Sequence, residues 1–468
     1  MVEVLISNHK SKLNTTLDIL SKLRNEFRIK ALNYFWAEAY RSRRWDGYVN
    51  YITSAGYIST GLLPKLVEHL TKNEIPFELV DNRNDISIKK QPRKVGDLEL
   101  RDYQVDSVKS ITTNRLLDLP FHRGIINEAT NAGKNLIAAA LFKCFPKDTR
   151  CLFLVNRQHI YKQAKEEMGK LLGDQIGHIG PDGIKWARFM ICMAQTTSKK
   201  ISQFKYQLGE FDMVIVDECH YADGNTFKHI LANLINSTIR IGMSGTPFKH
   251  KDKNKNERIR EFFGEQLHAI TNQELIDLGF STKPQVAILE GNTIVKIPGN
   301  YRDEERSGII LSKERNRKVI KRVRYHLNRK RAPMLVIAKY HEHTEKLYRL
   351  IKKKFPEQRM EFIHVGVKDR LHKLDMFKKG ELDILVSSML IKEGQNLPLI
   401  RSLIIAGGGD SVTNVLQLVG RALRKHHSKD IVYIDDFWDI GSYLKRHSKH
   451  RLKVYIDEGF KVLKKYEH

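Results

Sequence analysis

The chain has 468 residues, and 81 Lys+Arg against 54 Asp+Glu give a formal net charge of +27. A composition of 41% hydrophobic and 29% charged residues is that of a globular protein and excludes wholesale disorder. No run approaches the ~18 apolar residues of a membrane span, and the polar start MVEVLISNHKSK is not a secretory signal. The basic excess is spread along the whole chain, which fits a long polyanion, nucleic acid ahead of anionic membrane. Cys144, Cys151, Cys192 and Cys219 stand singly among apolar residues and read as reduced core residues of a cytoplasmic protein.

Residues 1–95 read as a small α+β domain. Leu13, Ile19, Leu20 and Leu23 recur at helical spacing, GYVNYIT and GYIST alternate like strands, LLPKLVEHL is a second helix and PFELV a short strand. Within it Arg41, Arg43 and Arg44 cluster beside Trp45, with Tyr40 and Tyr48 near. Guanidiniums for phosphates and flat rings for bases suit DNA, while Trp45 equally suits the domain's own core, with Asp46-Gly47 as a hairpin turn.

From 96 to 285 the pattern changes to short apolar runs, CLFLV, MICMA and MVIV, separated by helix-length segments. These are buried parallel strands of an α/β domain. A connector is expected at 286–310. A second α/β domain follows at 311–440, with runs MLVIA, ILVS, LIIA and IVYI, and a basic helix at 441–468 ends the chain.

INEATNAGKNLIAAALF joins a strand to an apolar helix, where a loop presents backbone N–H groups and a helix N-terminus to phosphates. Gly133 allows close backbone approach and Lys134 supplies a cation. Glu128 stands at the first glycine of the usual loop pattern and Asn135 at its final hydroxyl. MVIV runs into Asp217-Glu218-Cys219-His220, at the carboxyl end of a strand, where α/β sheets bind ligands. Asp217 is placed to hold Mg²⁺ and Glu218 to activate water; two successive acids followed by Cys-His weigh against Asp217 merely capping the next helix. In SVTNVLQLVGRALRK, Gln417, Arg421 and Arg424 share one helix face. They suit an arginine-finger role, though a solvated basic face would explain that helix alone.

Taken in order, LRDYQ, ATNAGKN, FLVNRQHIYKQ, CMAQTTSK, DECH, SGTP, VIAKYHEH, ILVSSMLIKEGQNLP and QLVGRALR resemble the motif series of superfamily 2 helicases and translocases. YRSRRWDGYVNYI resembles the small DNA-binding unit of the phage UvsW-type recombination helicases, which are related to XPB. The resemblance implies two tandem RecA-like domains and ATP with Mg²⁺ as cofactors. It places Arg101, Gln104, Thr130, Asn131, Ala132, Gly133, Lys134, Asn135, Gly394 and Asn396 at the nucleotide, Asp217 and Asn135 at the metal, and Ser244 and Thr246 in coupling. Asn156, Arg157, Gln195 and Thr196 of the first domain, and Lys339, His364 and Ser387 of the second, would line the nucleic-acid track.

The implied activity is ATP-driven translocation on DNA by a monomer, with unwinding or branch migration of forks and Holliday-like junctions, in the host cytoplasm if the chain is phage-encoded. Two alternatives stay open: an RNA-remodelling or restriction-type motor, and an ATP-switched protein that clamps or anneals DNA with little turnover. Asn131 and Asn135 depart from the family pattern, which favours slow or Mg²⁺-demanding hydrolysis.

Overall fold

A computed structural model of the chain describes residues 1–84, 86–129, 131–248, 252–291, 300–388, 397, 399–409, 419–420, 422–426 and 429–464. They fall into two units, Met1–Ile270 and Thr271–His468.

The first unit begins with a four-stranded sheet in the order Tyr57–Ser59, Lys10–Asn14, Val2–Ile6, Phe77–Asp81. Val2, Val4 and Ile6 alternate inward, as a half-buried strand requires, and meet Leu20, Leu23, Leu63, Leu66 and Leu70 from the helices Leu17–Glu26 and Leu63–Lys72. Leu13 belongs to a strand and not to the first helix, which begins at Leu17. Its distance of six to ten residues from Ile19, Leu20 and Leu23 fits either period.

This sheet does not stand apart from the α/β part of its unit. Tyr51 Oη donates to Asn254 Oδ1 at 2.9 Å, Thr238 Oγ1 to Asn8 Oδ1 at 2.7 Å, and Lys65 Nζ to Glu257 Oε1 at 2.7 Å. The buried Arg123 guanidinium donates to the Asn8 carbonyl. A Cβ at Gly61 would lie 2.2 Å from the Arg260 carbonyl oxygen, so the two backbones touch where only glycine fits.

The α/β sheet of this unit has eight strands. They run Gly183–Lys185, Ile176–Gly180, Phe189–Met193, Cys151–Val155, Met213–Asp217, Ile239–Ser244, Arg123–Glu128, Gln266–Ile270. All neighbours are parallel except the outermost pair, Gly183–Lys185 on Ile176–Gly180. Helices Lys134–Cys144 and Gln158–Leu172 share one core with one face of the sheet. Asn225–Asn233 and Lys253–Phe263 share a second core with the other. Burial on both faces explains why CLFLV and MVIV are continuously apolar. All four cysteines are free and buried.

The second unit holds a seven-stranded parallel sheet in the order Met360–Ile363, Ile384–Ser387, Met334–Ile337, Ser402–Ile405, Ile431–Trp438, Lys283–Glu290, Lys461–Lys464. Two boundaries therefore differ from the sequence reading. Lys283–Glu290, divided there between the first α/β domain and the connector, is an inner strand of this sheet; eight residues with charged ends resemble a linker until both neighbours are in place. The basic C-terminal helix spans Ser442–Asp457, and a strand at Lys461–Lys464 follows it. Among the described residues no helix is long and apolar enough to cross a membrane.

Charge fastens the C-terminal helix to this sheet. Arg451 Nε donates to Asp436 Oδ2 at 2.8 Å, the same oxygen accepts from Tyr455 Oη at 2.8 Å, and Arg451 Nη2 reaches the Phe437 carbonyl at 2.9 Å. Both charged side chains are about 2% exposed. Breaking such a pair from one side leaves an unpaired buried charge. Arg451→Met should cost about 3–5 kcal/mol in urea unfolding, while Arg451→Met with Asp436→Asn should cost distinctly less. Equal losses would show that packing, not charge, carries the contact.

Candidate active site

The phosphate loop connects Arg123–Glu128 to the helix Lys134–Cys144. Asn131 and Gly133 both have left-handed backbone, φ +83° and +82°. Asparagine tolerates that conformation better than most side chains, which accounts for its taking a position the family gives to glycine. Ala132 between them is clamped from behind: its carbonyl accepts from Tyr103 Oη at 3.0 Å and Gln104 Nε2 at 2.8 Å. Gln104 Oε1 in turn accepts from the Arg101 backbone N–H at 3.0 Å, so the buried glutamine spends both ends of its amide on the protein. Its observed work is to hold the loop, and Arg101 lies exposed at the start of that helix. Tyr103, which sequence reasoning passed over, shares the work; its place inside LRDYQ was the available signal. Thr130 lies outside the described residues.

Lys134 Nζ turns back to the Glu128 carbonyl at 3.4 Å. The Glu128 side chain is fully buried and accepts from Ser107 Oγ at 2.8 Å, with His268 Nδ1 at 2.9 Å from the same oxygen. Asn135, half-buried in the first helical turn, donates through Nδ2 to Glu167 Oε2 at 2.6 Å.

Asp217 ends the strand Met213–Asp217, and the chain turns sharply at Glu218, a non-glycine residue with φ +52°. Such backbone costs of order 1–3 kcal/mol and persists where surrounding structure enforces it. The two carboxylates are driven apart in acidity. Burial and the adjacent Glu218 push Asp217 upward against the pull of Lys134. Burial opposes ionisation of Glu218 as well, but hydrogen bonds from His220 and Ser244, with Lys134 near, hold it below the usual carboxylate range. Ser244 Oγ donates to Glu218 Oε2 at 2.9 Å and lies 3.0 Å from His220 Nδ1, while the Thr246 N–H donates to Ser244 Oγ at 3.1 Å. DECH and SGTP, 24 residues apart by this bond, thus form one network.

Of the expected track residues in the first unit, Gln195 Nε2 donates to Asn156 Oδ1 at 2.7 Å, Arg157 is exposed and Thr196 half-buried beside them. In the second unit the three candidates are engaged internally. Lys339 Nζ pairs with both Glu305 oxygens at 2.9 Å and with Tyr301 Oη at 2.6 Å. His364 is 8% exposed, stacks on His341 and bonds to Glu345 at 3.0 Å. Ser387 is fully buried and donates to the Ser388 carbonyl. A surface track built from these three side chains is therefore not what this unit presents; burial at the strand ends takes His364 and Ser387 inside. Gly394, Asn396, Gln417 and Arg421 lie outside the described residues. Arg424 is half-buried, and its carbonyl accepts from Thr282 Oγ1 at 3.4 Å.

In the N-terminal sheet domain Arg41, Arg43 and Arg44 are exposed around a cavity of about 550 Å³ lined also by Tyr40, Trp45 and Asp46. Trp45 is half-buried, outside the domain's hydrophobic core, with Nε1 donating to the Tyr48 carbonyl at 2.8 Å. Asp46-Gly47 does not form a two-residue hairpin, because Arg28–Lys30 and Tyr48–Asn50 pair across a long excursion. That excursion also carries Leu32, Phe35 and Trp36 at 58%, 48% and 71% exposure, an aromatic ridge that the sequence reading missed. Three consecutive aromatics in NYFWAE were its signal.

Comparison with known proteins bears on the family. The family described as "Type III restriction enzyme, res subunit" matches residues 97–249, and "Helicase conserved C-terminal domain" matches 314–426. The ATP-dependent DNA helicase uvsW of Enterobacteria phage T4 is 24% identical over 490 residues, covering 95% of each chain. The chain is a superfamily 2 helicase. A second relative of this helicase, the DNA 3'-5' translocase XPB2 of Sulfurisphaera tokodaii, is 23% identical over 77% of this chain and 83% of its own. In fold, the helicase resembles Mss116p solved with ssRNA and AMP-PNP, at a TM-score of 0.56 and 13% identity over 87% of this chain and 79% of that one. The two parallel-sheet units are thus tandem RecA-like domains, and the enzyme hydrolyses ATP.

The helicase's loop geometry yields a direct check. A Cβ at Gly133 would lie 2.5 Å from Gln104 Nε2 on left-handed backbone. Gly133→Ala should weaken ADP binding about tenfold with circular dichroism unchanged, since strain of this kind is worth 1–3 kcal/mol. Undiminished binding would remove Gly133 from the nucleotide site.

Proposed function

We propose that this ATP-dependent helicase is a motor on branched DNA, opening forks and moving Holliday-like junctions as a monomer. The observation that carries the reading is the exposed arginine and aromatic surface of the N-terminal domain, fastened by buried polar bonds and backbone contact to the first RecA-like domain. Arginines neutralise phosphates without reading sequence, and unstacked bases at a junction offer faces to Trp36 and Phe35. A rigid mount would turn motion of the motor into force at the junction. Asn156, Arg157, Gln195 and Thr196 extend the proposed contact onto the motor itself.

Lys134 and the loop N–H groups would bind the phosphates, Glu218 would orient and deprotonate water, and Ser244 with Thr246 would link that carboxylate to nucleic-acid contact. Arg421, Arg424 and Gln417 would stabilise charge developing on the terminal phosphate. The donor set fits Mg²⁺: Asp217 and Asn135 offer hard oxygens, and a divalent cation would relieve the repulsion between Asp217 and Glu218. When bound, the ion would neutralise phosphate charge. Because a carboxamide must replace a hydroxyl at the metal, Asn135→Thr should raise kcat at low Mg²⁺, and an equal or lower rate would refute that role.

The deciding experiment measures ATP hydrolysis with forked DNA, single-stranded DNA and RNA, in the parent chain and in Arg41→Ala/Arg43→Ala/Arg44→Ala. Forked DNA should stimulate most, and the triple variant should weaken fork binding and flatten its salt dependence by counterion release. Stimulation by RNA alone would favour an RNA motor. Tight DNA binding without turnover would favour the ATP-switched clamp.

A further inference from the structure

The residue after the phosphate-loop lysine raises a problem particular to this chain. A serine or threonine hydroxyl rotates freely and presents oxygen to a cation whatever surrounds it. A carboxamide has two ends of nearly equal shape, one an acceptor and one an NH₂ donor. Turned the wrong way, Asn135 would point two N–H groups at a divalent cation.

The structure contains a device that fixes the choice. Glu167, half-buried on the helix Gln158–Leu172, accepts the Asn135 Nδ2–H through Oε2 at 2.6 Å. Its other oxygen accepts from Gln163 Nε2 at 2.7 Å, one turn earlier on the same helix, so the carboxylate is itself held. A carboxylate accepts only, and the carbonyl end of an amide cannot face it without repulsion. With Nδ2 committed to Glu167, the planar amide carries Oδ1 on its opposite edge. The Asn135 side chain makes no other hydrogen bond among the described residues, so that oxygen is uncommitted. The helices Lys134–Cys144 and Gln158–Leu172 share one core, which sets the spacing of the pair. Glu167 also lies within electrostatic reach of Asp217.

We infer that Glu167 is a positioning residue for the divalent cation: it holds Asn135 so that Oδ1 replaces the missing hydroxyl as a ligand. The inference rests on the nucleotide and Mg²⁺ reading above. Glu167 needs no contact with the ion, and it adds negative charge nearby. Removing outer partners of metal ligands commonly costs 10–100-fold in metal affinity.

The test is Mn²⁺ affinity of the full-length chain with ADP, protein in excess over nucleotide, read from the electron paramagnetic resonance signal of free Mn²⁺. Glu167→Ala should weaken Mn²⁺ about tenfold while metal-free ADP binding in EDTA stays unchanged. Glu167→Gln, whose carbonyl can still accept the same N–H, should recover most of that loss. In an Asn135→Thr background the Glu167→Ala effect should vanish, because a hydroxyl needs no orienting partner. An unmoved Mn²⁺ affinity in Glu167→Ala, or an equal loss in the Asn135→Thr background, overturns the inference. If the parent chain fails to bind ADP in EDTA, the nucleotide reading falls and this inference with it, which separates the two failures.

Discussion

The proposed chemistry rests on two adjacent carboxylates held at the end of a buried strand, beside one lysine. Asp217 and Glu218 cannot both sit comfortably ionised in that place, and the surrounding bonds divide the burden unequally. Glu218 receives His220 and Ser244 and stays charged, while Asp217 is raised by burial and by its neighbour. A charged Glu218 is what a general base requires. An Asp217 that gains from a nearby cation is what a metal ligand requires. The parallel sheet makes this possible, because it buries the strand on both faces and ends it where the loops of neighbouring strands converge.

The same logic explains a departure from the usual phosphate-loop pattern. Glu128 occupies the first glycine position, yet its side chain does not enter the loop. It points into the protein, where Ser107 and His268 share one of its oxygens. These partners come from the helix Asp102–Thr112 and from the edge strand Gln266–Ile270, so one buried carboxylate ties the strand beneath the loop to elements on two sides. The loop gains its support from behind, through Glu128, Tyr103 and Gln104, and its shape from the left-handed Asn131 and Gly133.

How much of this was legible in sequence depended on whether a residue's role is set locally. The acidic pair, the lysine and the threonine-containing turn announce themselves because short spacing fixes them to strand ends. Continuous apolar runs gave the parallel strands for the same reason. The strand Lys283–Glu290 was hidden, because a strand is recognised by partners that lie 148 and 176 residues away in the chain. Lys339, His364 and Ser387 looked available because sequence shows polarity and not burial; their partners Glu305, Glu345 and the Ser388 carbonyl decide their position. Glu167 carried no local signal at all, since its meaning appears only when two helices bring it against Asn135.

The N-terminal domain shows what attachment through direct contacts accomplishes that a tether would not. A flexible linker contributes effective concentration, holding a binding surface near its target without fixing its direction. Here Asn8, Tyr51, Lys65 and the backbone at Gly61 meet the helix Lys253–Phe263 and the strand ends near Arg123 and Thr238. Several of those bonds are buried, and leaving any of their polar groups unpaired would be costly, so the orientation has few competing alternatives. The domain that carries the exposed ridge of Phe35 and Trp36 and the arginines around Tyr40 is therefore held in one orientation relative to the sheet that ends at Asp217. The exposed aromatic and arginine surface and the phosphate-loop site thus belong to one compact unit, Met1–Ile270, joined through these contacts.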